Sequence, residues 1–203
     1  MTQEPIPSAT VFVDPQCPFA WITTQWLLEV RRHTDLAVDV ELMSLSCVNE
    51  GRELDDWYRQ YNDDAWAAAR VAASLLDSDH ALLWPRFYET YGHRRHVEGL
   101  RDNPANLAKT IAELGLPVDL LDASGDSTWD DHLRRRTAAA VAGRNDGGTP
   151  MLHVRERAFF GPVLTEIPRG DEAVELWGAV NTLARARGFS AMTTERSDEL
   201  HTL

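Results

Sequence analysis

With 203 residues, 43% of them hydrophobic, the chain is long enough to bury a full core without disulfide or metal staples, and it fits one domain with a large insertion. Its 32 acidic against 20 basic residues, a formal net charge of -12, disfavour nucleic acid and anionic membrane as partners. Two cysteines, Cys17 and Cys47, are too few for a secreted disulfide scaffold; with no leader pattern in Met1–Ser8 and no apolar window near the ~18 residues of a membrane span, a cytoplasmic, reducing setting is expected.

Thr10–Val13 is a β-branched and aromatic run closed by Asp14-Pro15, which reads as a buried strand ended by a turn. From Pro18 to His33, Trp21, Ile22, Trp26, Leu28 and Val30 recur at helical spacing; Pro18 suits the first turn, and Arg31, Arg32 and His33 complement the C-terminal dipole. Leu36, Val38, Val40 and Leu42 then alternate with Asp35, Ala37, Asp39 and Glu41, the period of a strand. Strand, helix and strand within about 35 residues predict a βαβ unit with parallel strands.

From about Arg52 to Asp146 helical patterns take over. Trp57, Tyr61, Ala65, Ala68 and Ala72 form one apolar stripe, and Leu82, Leu83, Phe87 and Tyr91 another. Asn103-Pro104 reads as the N-cap and first-turn proline of a helix stopped at Gly115, and Ser127 and Gly143 bracket a further helix. Arg134-Arg135-Arg136 reads as a solvated helix face. A helical insertion, 52–146, thus divides a core made of 1–51 and 147–190. Met151–Val154, a turn at Arg155–Arg157 and Ala158–Val163 predict two short antiparallel strands. A last helix follows from Asp171 to Arg187, with Trp177 and Val180 on its apolar side and Gly188 at its end; the polar tail, 191–203, is expected to pack poorly.

Cys17, in Asp14-Pro15-Gln16-Cys17-Pro18-Phe19-Ala20-Trp21, falls between the first strand and the first helix. Unpaired backbone N–H groups and the positive end of the helix dipole stabilise a thiolate there, so the position predicts a nucleophilic thiol. Ala20 stands where a dithiol motif carries its second cysteine, so a redox cycle must take its second sulfur from elsewhere. Cys47, just past the second strand, shares the rim with Cys17, because neighbouring strands run about 4.8 Å apart. It reads first as a small buried apolar residue. A Cys17–Cys47 pair, which needs Cα atoms within about 7 Å, is the other reading.

The order β-α-β, helical insertion, β-β-α, with a cysteine at the first helix start and Thr149-Pro150 at the third strand start, resembles the α/β thioredoxin-like fold of the DsbA-like family. The segments Asp14–Thr23, Gly148–Pro150, Phe159–Leu164 and Ile167–Gly170 resemble its actinobacterial mycothiol-dependent nitroreductase branch. The resemblance implies a thiol-disulfide oxidoreductase with a cleft between the core and the insertion, Cys17 as the single nucleophilic thiolate, and Pro18, Phe19, Ala20 and Trp21 as the loop beside it. It implies a cis proline at Thr149-Pro150, presenting a backbone edge to an extended thiol opposite Cys17; from sequence alone Pro150 reads as an ordinary trans turn proline.

The same resemblance implies no tightly bound cofactor, mycothiol or a similar low-molecular-weight thiol as cosubstrate, and reduction of a disulfide or an electrophilic or nitroaromatic small molecule. With Ala20 the route is monothiol, resolved by an external thiol or a redoxin. Kappa-class glutathione transferases and chromene carboxylate isomerases of the same superfamily leave a transferase or isomerase open, and a binding member without catalysis is a third reading.

Phe19, Trp21, Trp57, Tyr58, Tyr61 and Trp66 bring aromatic surface near the predicted cleft; most read as core, with Phe19 and Trp21 beside the thiol as the substrate-facing pair and Tyr61 a further candidate. Asn49, on the same rim, offers an amide to a polar substrate group. His93 and His96 stand three apart, yet no cysteine or carboxylate at ligand spacing completes a metal site; they read as solvated or structural, with a substrate contact open for His96. The chain has no phosphate-binding glycine loop, Gly-x-Ser-x-Gly elbow or Rossmann fingerprint, which argues against NTP hydrolysis, serine hydrolysis and a tightly bound nicotinamide. The sequence is compatible with a homodimer.

Overall fold

The computed structural model describes residues 8–144, 147–197 and 199–203; the leader reading for 1–7 and the end of the insertion at 145–146 lie outside the described residues. Strand β1 (Ser8–Val13) leads into helix α1 (Pro18–His33) and strand β2 (Ala37–Leu42), with β1 parallel to β2 and Val11 opposite Val40. Strands β3 (Met151–Val154) and β4 (Arg157–Phe160) complete the sheet in the order β2-β1-β3-β4; β3 is antiparallel to both β1 and β4. The β-branched run of β1 is therefore an inner strand, and the alternating β2 takes an edge.

On one face of the sheet Val11, Val13, Leu152 and Val154 meet α1 and α7 (Gly170–Arg185). Helix α7 buries Ala173, Trp177, Val180 and Ala184, the three- and four-residue spacing of one helix stripe, and the Trp26 indole of α1 donates to the Ala173 carbonyl at 3.0 Å. The other face presents Met43 and Met151 to Ala140 of α6 (Asp130–Val141). Fully burying side chains of this size contributes roughly 1.5–3 kcal/mol each, so both sheet faces are anchored by the hydrophobic effect.

Between β2 and β3 the chain forms a short helix α2 (Leu45–Val48), then α3 (Asp56–Leu76), α4 (Trp84–Gly92), a wide π turn at His93–Val97, α5 (Asn103–Leu114) and α6. This helical layer is tied to the sheet by the Trp84 indole, which donates to the Val40 carbonyl at 2.8 Å, and by ion pairs from α6. Arg134 pairs with Glu50 and Arg136 with Glu41, so the basic run fastens α6 to the core besides facing solvent. The approach of α4 to α1 is close enough to require a glycine: a Cβ on Gly92 would stand 2.6 Å from the Trp21 ring.

The helix stripes depart from expectation at their starts. Trp57 is 71% exposed and Leu82 94% exposed, while Ala65, Ala68, Ala72, Phe87 and Tyr91 are buried. The first two turns of α3 overhang a cavity, so only its alanine-rich half reaches the core. Helix α5 is capped by Asp102, whose carboxylate accepts the Ala105 N–H at 2.9 Å; Asn103 is already helical. Helix α6 starts at Asp130 after a short 3-10 turn, and Ala142 takes the left-handed closing position ahead of Gly143.

The tail is exposed over 191–197, as expected, but its last residues pack. The His201 N–H donates to the Thr165 carbonyl (2.8 Å), the Thr202 hydroxyl to the His96 carbonyl (2.8 Å), and the Trp21 indole to the Thr202 carbonyl (3.2 Å), while Leu200 lies against the core. The polar composition of the segment conceals this because its anchors are mostly backbone groups, which every sequence carries.

Candidate active site

Cys17 is the N-cap of α1. Its Sγ accepts the Ala20 N–H at 3.5 Å, and the thiol donates to the Thr149 carbonyl at 3.4 Å across the cis Thr149–Pro150 bond. Ala20, fully buried, thus bonds Cys17 through its backbone and has no place in the cavity wall.

Cys17 is only 3% exposed, and burial pushes its pKa up to about 12, with the neighbouring Asp14 carboxylate adding to the rise. The N–H groups of Ala20 and Phe19 pull the other way and are outweighed. Burial thus works against the thiolate expected from the helix start, because desolvation exceeds what the two N–H groups return.

Asp14 organises the site without reaching its cavity. Its buried carboxylate accepts the N–H groups of Gln16 (2.8 Å) and Leu45 (2.7 Å), and its own N–H donates to the Thr149 hydroxyl (3.2 Å). One residue thereby fixes the Cys17 loop, the start of α2 and the Thr149–Pro150 loop. Burial raises its pKa to about 6 against the opposing pull of those two N–H donors. Gln16 extends the scaffold: its side chain donates to the Tyr61 carbonyl (2.7 Å) and accepts from Asn103 (3.0 Å), and the Tyr61 hydroxyl donates to the Gln16 carbonyl (2.6 Å).

Cys17 opens onto a cavity of about 570 Å³ between the sheet rim and the helical layer. Of the residues named from the sequence, Pro18, Phe19, Thr149 and Tyr61 line it, joined by Trp57, Tyr58 and Phe160. Gly148 admits the Phe160 ring, which would lie 2.6 Å from a Cβ at that position. Asn49 also faces the cavity, but its amide N–H groups are taken by Tyr58 (3.2 Å) and Asn62 (3.0 Å), leaving its oxygen for a ligand donor.

Trp21, expected beside the substrate, is 3% exposed and stacks on His96 at 5.8 Å between ring centroids. Helical geometry turns it inward, toward Gly92 and Tyr88. The His96 ring donates to the Pro15 carbonyl (3.2 Å); burial lowers its pKa to about 3, so it is neutral and steadies the loop ahead of Cys17. It lines a second, more polar cavity on the far side of Tyr61. His93 pairs with Glu98 in solvent, and no metal-holding cluster occurs among the described residues.

Cys47 lies in α2 and lines a different cavity with Arg134 and Thr137 of α6; both cysteines are free thiols, and burial pushes Cys47 up to about 11. Pro150, buried next to Thr149, is absent from the cavity wall. Sequence reasoning missed Asp14 and Phe160 as site residues, along with two arginines, Arg52 and Arg196, at the cavity; Tyr58 was placed near the cleft but not singled out. The Asp-Pro turn was visible; that its carboxylate reaches Leu45 was not.

The family model described as "Rv2466c-like: Mycothiol-dependent nitroreductase Rv2466c" matches residues 16–193. The uncharacterized protein Rv2286c of Mycobacterium tuberculosis (strain ATCC 25618 / H37Rv) is 31% identical over 175 residues, covering 84% of this chain and 74% of its own length. Among solved structures, a 2-hydroxychromene-2-carboxylate isomerase superposes with a TM-score of 0.56 at 14% identity, over 88% of this chain and 97% of its own. DsbA from Xylella fastidiosa gives 0.53 at 14% identity, over 89% and 87%. The reduced form of DsbG, a disulfide bond oxidoreductase from Mycobacterium tuberculosis, gives 0.51 at 16% identity, over 86% and 88%. At these identities the structural likeness is one of fold, the thioredoxin fold with a helical insertion.

Proposed function

Because the chain belongs to the Rv2466c-like family of mycothiol-dependent nitroreductases, we propose that it is a monothiol oxidoreductase that uses Cys17 and a low-molecular-weight thiol of the mycothiol type to reduce a disulfide or an electrophilic, nitroaromatic small molecule. The observation that carries this reading is the Cys17 thiol at the head of α1, 3.4 Å from the Thr149 carbonyl and at the wall of an aromatic cavity. A setting in the cytoplasm, mycothiol as a diffusible cosubstrate and a redoxin as an alternative reductant go with it.

The chemistry at Cys17 follows from its partners. Deprotonated, the sulfur attacks one sulfur of a small disulfide; the new Cys17 S–S bond forms as the old one breaks, and the other half leaves as a thiolate that takes a proton from solvent. Ala20 offers no sulfur to resolve the mixed disulfide, so an external thiol gives up its proton, attacks the bound half and departs with it as a disulfide. Cys17 returns to its starting state, and the electron pair has come from outside the chain. The Thr149 carbonyl edge supports the bound half in extended form, and the aromatic walls exclude water from it.

One rival, a transferase or isomerase that binds a thiol without net redox change, draws on the fold shared with the 2-hydroxychromene-2-carboxylate isomerase. Consumption of reducing equivalents during turnover supports the oxidoreductase; a stable thioether product supports the rival. The direct test is intact mass after incubation with oxidised mycothiol or glutathione at pH 9, beside Cys17→Ser. A mixed disulfide on the parent chain that is absent from the variant is expected, and no adduct on the parent chain overturns the proposal.

A further inference from the structure

Among the described residues, only two charged side chains line the Cys17 cavity, and both are arginines, Arg52 and Arg196. In a chain with a formal net charge of -12 this is a local reversal of sign. Several arginines elsewhere are neutralised, Arg70 by Asp130, Arg94 by Glu113, Arg134 by Glu50 and Arg136 by Glu41. No carboxylate among the described residues pairs with Arg52 or Arg196.

Each guanidinium is brought to the cavity by a separate element. Arg52 follows the turn after α2, where its N–H donates to the Asn49 carbonyl at 3.1 Å. Arg196 arrives on the tail, held over the Phe19 ring with 4.6 Å between its central carbon and the ring centroid. Stacking fixes the plane of a guanidinium and leaves its N–H edge for an oxyanion. The rest of the wall is aromatic, from Phe19, Trp57, Tyr58 and Phe160.

We propose that this cavity selects planar aromatic substrates bearing an anionic group, a carboxylate above all, and that Arg52 and Arg196 are the residues that read the charge. The inference rests on the Cys17 cavity being the small-molecule site and adds the substrate class. The ring is taken by the aromatic walls, and the carboxylate is held near the mouth by guanidinium N–H donors. Both arginines are exposed, so each contributes about threefold to fivefold in affinity, the share of a solvent-accessible charge pair.

The test is calorimetric titration of the full chain with 4-nitrobenzoate and its neutral isostere 4-nitrobenzamide, with no reductant present, repeated on Cys17→Ser. The carboxylate is expected to bind about tenfold tighter than the amide, the two arginines acting together, and added salt should erode the difference. Arg52→Gln and Arg196→Gln should each weaken the carboxylate about threefold to fivefold and leave the amide unchanged, while Arg196→Lys keeps most of the preference. Equal binding of the two probes, a preference that survives both glutamine variants, or no detectable binding of 4-nitrobenzoate overturns the inference. Because the titration involves no turnover, a carboxylate preference without mixed-disulfide formation sinks only the redox reading, and turnover of neutral nitroarenes without charge preference sinks only this one.

Discussion

Cys17 accepts an N–H bond at a helix start, yet its thiol is pushed up to about 12, because a residue only 3% exposed loses more from desolvation than two N–H groups restore. Asp14 adds to the rise, and above about pH 6, where its own carboxylate ionises, its charge opposes the thiolate. Two outcomes follow for carbamidomethylation of Cys17 by iodoacetamide, read by peptide mapping so that Cys47 is counted separately. The rate should climb about tenfold per pH unit from pH 7 to pH 9 without a plateau, since only the thiolate reacts. Asp14→Asn should accelerate it at pH 8 by about threefold or more, removing the nearby negative charge. A plateau below pH 9 would mean a thiol already ionised at the helix start and would contradict its raised pKa.

At the scale of elements, the tail is the part whose role is set by contacts with distant segments. It links the loop at Thr165, the π turn at His96 and the Trp21 indole of α1, and in passing carries Arg196 to the cavity. Removing Leu200–Leu203 deletes three hydrogen bonds and the packing of Leu200, a loss of about 2–4 kcal/mol by the usual net worth of such contacts. Urea unfolding should show it as a lowered midpoint, with a change in tryptophan fluorescence as the Trp21 indole loses its acceptor. An unchanged midpoint would mean that the tail rests on the fold without stabilising it.

Over the whole molecule, the acid response turns on buried groups of opposite tendency. His96 has a folded pKa of about 3, below its ordinary 6.5, so as pH falls through 6.5 the unfolded chain takes up a proton that the folded chain refuses, and stability drains away toward pH 3. Asp14 works against this: raised to about 6, it holds its proton longer when folded, so its contribution declines as pH rises from about 4 to 6. Comparing the parent chain with His96→Gln cancels Asp14. Between pH 7 and pH 4.5 the parent should lose about 2–3 kcal/mol more than the variant in urea unfolding; parallel losses would show that His96 accepts a proton in the folded state.

What the sequence determined by itself is local and periodic. The β-branched run, the α1 boundaries at Pro18 and His33, the parallel βαβ unit and the glycine stop at Gly115 follow from repeats of two and of 3.6 and from single-residue backbone preferences. The thiol position, with Ala20 three residues on, was legible for the same reason. Only the tertiary structure decided what surrounds that thiol. Burial raised the Cys17 thiol against the expected thiolate, the overhang of α3 turned Trp57 from core to cavity wall, and helix geometry, with room left by Gly92, turned Trp21 from cavity to core. Asp14, Arg52 and Arg196 converge from three places in the chain, and that convergence leaves no trace in local pattern because desolvation and charge act through space, whereas periodicity acts along the chain.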